Sequence, residues 1–196
     1  MDKKEQILKV ISKEMEELVV KRTGSISKQV NTNKSQIIEN LREMVALNLA
    51  KVNSKQQFND MGEVKYICFE YLLSSIITRT YDFQFSVYDE GFHINRSGVH
   101  SYFSINEIFL NIEEDMLFLV QKAKREIIGI DDYDFEEIRK AYIILLHYRL
   151  TTMFIAENID KIISLKDFSK LKISEPIEIY VGGYMDKMAL ISTLEE

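Results

Sequence analysis

Apolar residues recur at three- and four-residue spacing over most of this 196-residue chain, and at two-residue spacing in only a few short stretches. That contrast constrains the fold class most strongly, because helices bury a stripe of period 3.6 and half-buried strands bury every second residue. Ile7, Leu8, Val10, Ile11, Met15, Leu18 and Val19 predict a helix over 3–22, ended by Thr23-Gly24-Ser25. Ile37, Ile38, Leu41, Met44 and Val45 predict a second helix over about 34–47. A near-continuous apolar run predicts a buried helix over 64–78. Phe83, Phe85 and Val87 then alternate with Gln84, Ser86 and Tyr88, which predicts a strand. Asp89-Glu90-Gly91 and Phe92-His93-Ile94-Asn95 read as the turn and return strand of a hairpin, and 99–103 as a third strand.

Two longer helices follow, over 105–128 with Gly129 as its stop and over about 131–159 with Asp131, Asp132 and Asp134 as cap candidates. A short helical stretch lies near 166–171. Ile177, Ile179 and Val181 alternate as a last strand, opened by Pro176 at an edge and ended by Gly182-Gly183, where the chain turns against the 83–95 hairpin. The segment from Met185 to Leu194 fits a short helix or another strand. The fold class is therefore α+β and mostly helical, with a small antiparallel sheet.

Composition narrows the function classes. The chain is 46% hydrophobic and 29% charged, enough to bury a core. It lacks the long apolar stretch of a membrane span and the apolar block of a secretory signal, so a cytoplasmic location and no membrane partner are expected. One cysteine, Cys68, gives no disulfide framework and no multi-cysteine zinc site. The net charge of −6 is uneven. Residues 1–55 hold 11 Lys+Arg against 7 Asp+Glu, and the remainder 14 against 24. A basic segment on an acidic protein marks either a polyanion contact or an ordinary solvated surface.

Within that basic segment, residues 25–52 read SISKQVNTNKSQIIENLREMVALNLAKV. Ser25 to Val30 match a short first helix, Val30-Asn31-Thr32 a turn, and Asn33-Lys34-Ser35-Gln36-Ile37 the capped start of a second helix. Asn48-Leu49 precede a candidate strand at Leu49–Val52, with 53–62 as a loop and 64–67 as a second strand. This pattern resembles the winged helix-turn-helix DNA-binding family. The resemblance implies a winged-helix-like head over 1–63, and an α+β domain over 64–196 for dimerisation or for sensing a partner or effector. Double-stranded DNA would be the partner, with Lys28, Lys34 and Arg42 on phosphates and Gln36 and Asn40 on adenine edges. Asn33 and Ser35 would open the recognition helix. The function implied is a bacterial-type transcriptional regulator without cofactor, acting as a homo-oligomer if the second domain dimerises.

Two other readings stand beside it. The aromatic-rich strands and ten tyrosines fit a non-enzymatic protein-interaction module, of adaptor, inhibitor or immunity type. An enzyme without a local motif would rest on His147, which lies among Ile143, Leu146, Leu150 and Phe154 and would need a pocket to act as a base. His93 and His100 read as surface residues. Glu113-Glu114-Asp115 and Asp131-Asp132-Tyr133-Asp134 read as a helix face and a cap rather than as metal sites. The glycine pair carries no phosphate loop, because no further glycine stands nearby.

Overall fold

A computed structural model describes residues 3–94 and 97–195, so Asn95 of the expected return strand lies outside the described residues. The chain is α+β, with one five-stranded mixed sheet ordered β3-β2-β1-β4-β5. The strands are β1 (Val64–Tyr71), β2 (Phe83–Asp89), β3 (Val99–Phe103), β4 (Ile173–Gly183) and β5 (Met188–Leu194). β1 and β4 run parallel and the other neighbours antiparallel, so the sheet is not wholly antiparallel as expected. The helices are α1 (Lys3–Gln57), α2 (Leu73–Thr78), α3 (Ile112–Glu126), α4 (Asp132–Leu146) and α5 (Thr152–Ile162). A π turn over His147–Thr151 joins the last two.

Helix α1 departs most from the sequence expectation. It runs 55 residues without a break, about 80 Å at 1.5 Å per residue. The expected stop at Thr23-Gly24-Ser25, the turn at Asn31-Thr32 and the strand at Leu49–Val52 are all helical. The reason is phase. Met15, Leu18, Val19, Ile26, Val30, Ile37, Leu41 and Val45 form one continuous buried stripe, and burying each such side chain contributes about 1.5–3 kcal/mol. One interior glycine costs only about 1 kcal/mol against alanine. The hydroxyls that suggested turns bond back along the helix: Thr23 Oγ1 to the Val19 carbonyl at 2.6 Å, Ser25 Oγ to Arg22 at 2.9 Å and Thr32 Oγ1 to Lys28 at 2.9 Å. The buried residues of α1 belong to the same hydrophobic cluster as those of the sheet and of α3, α4 and α5. Residues 3–63 thus share one core with the rest of the described chain.

The stretch expected as a helix over 64–78 is instead the central strand β1 followed by the six-residue α2. Its residues face two buried environments, which hides the alternation. On one face Ile67 and Phe69 join Phe85, Val87, Ile179 and Val181 in the core with the helices. On the other lie Tyr66, Cys68, Glu70, Ser86, Tyr88 and Tyr180. The strand expected at 92–95 is a short 3₁₀ turn, Phe92–Ile94, and β2 pairs with β3 instead. The helix expected from 105 starts at Ile112, after a 3₁₀ turn at Asn106–Ile108. Asp131 and Asp134 form a reciprocal capping box at the start of α4, as expected.

Pro176 sits inside β4, which is flanked by β1 and β5 and is not an edge. It is tolerated because the β1–β4 register slips there, with Val64 opposite Ile173 but Tyr66 opposite Glu178. β4 turns back into β5, not toward the β2 hairpin.

Part of the charge asymmetry is paired across the fold. Lys3 pairs with Asp134 at 2.5 Å, Lys4 pairs with Glu137, and Arg22 meets Glu114 and Asp115 at 2.7 Å. The Asp115 carboxylate also accepts from the Tyr142 hydroxyl at 2.8 Å, which ties α1, α3 and α4 together.

Candidate recognition cleft

The second face of the sheet holds the least ordinary chemistry of the molecule. Glu70 is fully buried there, between Gln84 of β2 and Gly182 of β4 in the register. Its Oε2 accepts from Ser86 Oγ at 2.6 Å, Gln84 Nε2 at 3.2 Å and the Tyr88 hydroxyl at 3.3 Å. His100 on β3 brings Nδ1 to 3.0 Å from Ser86 Oγ. Strand alternation produces this cluster, because Glu70, Gln84, Ser86, Tyr88 and His100 fall on the same face of three adjacent strands. Burial raises the Glu70 carboxyl above its ordinary value, although the three donors oppose the shift.

Glu70 Oε1 takes part in no aligned hydrogen bond and faces His93 Nε2 at 3.3 Å. Burial lowers the His93 pKa, which favours the neutral ring. His93 belongs to the 3₁₀ turn that folds over this face, and it is half-buried rather than on the surface as expected. His100 is exposed.

Beside His93 opens a cleft of about 550 Å³, lined by Tyr66, Phe92, His93, Tyr180, Met185, Asp186 and Met188. No residue of the five helices lines it. Tyr66 meets Phe92 at 5.0 Å and 74°, and Tyr180 at 6.3 Å and 54°, so these rings are not stacked face to face. Two lining residues hold the left-handed backbone that bulky side chains rarely adopt, Phe92 at φ +50° and Met185 at φ +53°. The β4–β5 turn supplies Met185 and Asp186, and Gly182 makes the turn possible. A Cβ at Gly182 would lie 2.3 Å from the Lys187 carbonyl oxygen and 2.6 Å from Met188 Cα. The glycine pair thus ends β4 as expected, and it also shapes one wall of the cleft.

The cluster is poorly placed for covalent chemistry. Ser86 is fully buried and donates its proton to Glu70. Cys68 is buried and its thiol pKa is pushed far up. His147, the base candidate, is enclosed by Tyr71, Phe83 and Phe109 with ring centroids 4.8–5.4 Å away, and burial lowers its pKa to about 3. It lines none of the clefts found among the described residues. Among the described residues no group of three or more His, Cys, Asp or Glu side chains is placed to hold a metal ion.

The residues expected at DNA all lie on α1, but not as one reading surface. Lys28, Asn33, Ser35, Gln36, Asn40 and Arg42 are exposed and Lys34 is half-buried. Gln36 and Asn40 bond to each other at 2.8 Å, and Asn33 donates to Glu107 at 2.8 Å. Lys34 lines a small cleft with Met153, Phe154 and Glu157. Sequence reasoning missed Tyr66, Glu70, Phe92, Tyr180, Met185, Asp186 and Met188. The available signal was the alternation of Tyr66, Cys68 and Glu70 with Ile67, Phe69 and Tyr71. No family model matches this chain, and comparison with curated proteins and with solved structures finds no match to either.

Proposed function

We propose that this chain is a non-enzymatic protein-interaction module, with the cleft on the second face of the sheet as its recognition site. The observation that carries this reading is an apolar, aromatic-walled cleft beside one of the two unpaired edges of the sheet. β5 is that edge. Its seven residues, MALISTL, contain no charge and no proline, the devices that blunt an edge against pairing. A partner segment would add its backbone along β5 and place a side chain in the cleft.

The test is affinity capture at high salt with the full chain and three variants, Tyr66→Ala in the cleft, Leu190→Lys on β5 and Lys28→Ala on α1 as a control. A partner retained by the parent chain and by Lys28→Ala, but lost from both site variants, supports the reading. Equal capture by all four proteins sinks it. Size-exclusion at several concentrations shows whether a second copy is itself the occupant of β5.

A second reading keeps DNA as a partner of α1. Lys21, Lys28, Ser35 and Arg42 are exposed at seven-residue intervals and so fall along one line of the helix. Glu17 and Glu39 are exposed on the same side, so the charge there is mixed. Replacing Lys28, Lys34 and Arg42 together by Ala should abolish binding to DNA fragments at low salt if this reading holds. Unchanged binding, or none in the parent chain, removes it.

A further inference from the structure

We infer that the cleft takes an alkylated ammonium cation, such as a quaternary ammonium head or a methylated lysine side chain. This inference rests on the cleft being the recognition site. Three aromatic rings, of Tyr66, Phe92 and Tyr180, share its lining with the thioether side chains of Met185 and Met188. Ring faces carry negative electrostatic potential and attract a cation, most strongly where water is partly excluded. Tyr66 and Phe92 meet edge to face and Tyr66 and Tyr180 are tilted at 54°, so neither pair stacks face to face.

The charge census points the same way. Among the described residues Asp186 is the one carboxylate in the lining, and no Lys or Arg lines the cleft. His93 adds no opposing charge, because burial favours its neutral ring. The Tyr180 hydroxyl donates to Glu178 at 2.6 Å, and that bond and burial push its pKa up to about 12, so the ring stays a neutral phenol. A compact, strongly hydrated ammonium would lose water here without enough polar partners. An alkylated one has apolar substituents that match the aromatic and methionine walls, with its charge spread over them.

The test is calorimetric titration of the full chain with choline and with its neutral isostere 3,3-dimethylbutan-1-ol. The isostere has nearly the same shape and lacks the charge. Choline should bind, and the isostere should bind at least about tenfold more weakly. Tyr66→Leu, which keeps apolar bulk without a π face, and Asp186→Asn should each weaken choline several-fold. Thermal melts must show both variants folded.

Equal binding of choline and isostere overturns the cation inference and leaves the recognition cleft standing. If neither compound binds but Tyr66→Ala still loses a captured partner, the inference again fails alone. If neither binds and no partner is lost, both readings fail. Peptides carrying lysine or trimethyllysine identify the source. A methylated peptide that binds more tightly than both choline and the unmodified peptide assigns a protein side chain. One that binds no better than choline assigns a free small cation.

Discussion

His93 Nε2 lies 3.3 Å from Glu70 Oε1, and this approach joins the wall of the cleft to the buried polar cluster beneath it. The Glu70 carboxyl has a raised pKa from an ordinary value of 4.5, because burial disfavours its charge. The folded chain therefore binds the Glu70 proton more tightly than the unfolded chain does. This group's contribution to stability falls as pH rises from about 4.5 toward the raised value. Glu70→Gln keeps the shape and cannot titrate. Urea denaturation of both proteins from pH 4 to 8 should show the parent chain losing stability relative to Glu70→Gln as pH rises. Parallel curves would mean that the buried carboxyl carries no such penalty.

His147 produces the opposite slope. Its ring stacks on Tyr71 at 5.4 Å and 6° and meets Phe83 edge-on at 4.8 Å, and burial lowers its pKa from 6.5 to about 3. The unfolded chain then binds the extra proton between those two values. Stability from the neutral ring is present above pH 6.5 and is lost progressively as pH falls toward 3. His147→Phe should flatten the loss between pH 6.5 and 4, read from denaturation midpoints. An unchanged acid slope in that variant would contradict a neutral buried imidazole.

Gly182 and Gly24 should respond oppositely to one added methyl. At Gly182 the new Cβ would meet backbone atoms of Lys187 and Met188, so Gly182→Ala should cost about 1–3 kcal/mol, typical of overpacking. It should also speed hydrogen exchange along β5. A variant as stable as the parent, with unchanged exchange, would show that the close approach of β5 is absent.

At Gly24 a Cβ meets nothing within 4 Å and the backbone is helical. Gly24→Ala should therefore stabilise the chain by about 0.5–1 kcal/mol, since alanine loses less backbone entropy in a helix. A left-handed turn at 23–25 would instead make the same change destabilising. Thermal denaturation distinguishes an unbroken α1 from two helices joined by a turn.

The parts of the fold legible from the sequence were those where local pattern and tertiary packing agree. The alternation at β2 and at 177–181, the capping box at Asp131 and the burial of His147 needed no long-range information. Helix α1 was misread because Gly24, Asn31 and Thr32 carry turn preferences worth about 1 kcal/mol each, against a buried stripe with many members. β1 was misread because its second face carries Tyr66 and Cys68 opposite Ile67 and Phe69, which blurs the period of two into a near-continuous apolar run. The charge split was real, but three of its basic residues, Lys3, Lys4 and Arg22, pair with acids of α3 and α4, while Lys21, Lys28 and Arg42 stay exposed. The cleft was illegible for a different reason. Tyr66, Phe92 and the Tyr180–Met185 stretch come from three separated segments, and only the pairing of β1 with β4 and the fold-over of the 92–94 turn bring them together.

The eight methionines give the most direct test of whether the cleft takes a cation. Met185 and Met188 line it, Met15 and Met116 are buried elsewhere, and Met153 lies by the cleft that holds Lys34. With the methionine methyls labelled with ¹³C, titration with tetramethylammonium should shift the Met185 and Met188 signals in a saturable way and leave Met15, Met116 and Met153 in place. Saturable shifts at Met153 with none at Met185 and Met188, or no shift at any methionine, would contradict the account.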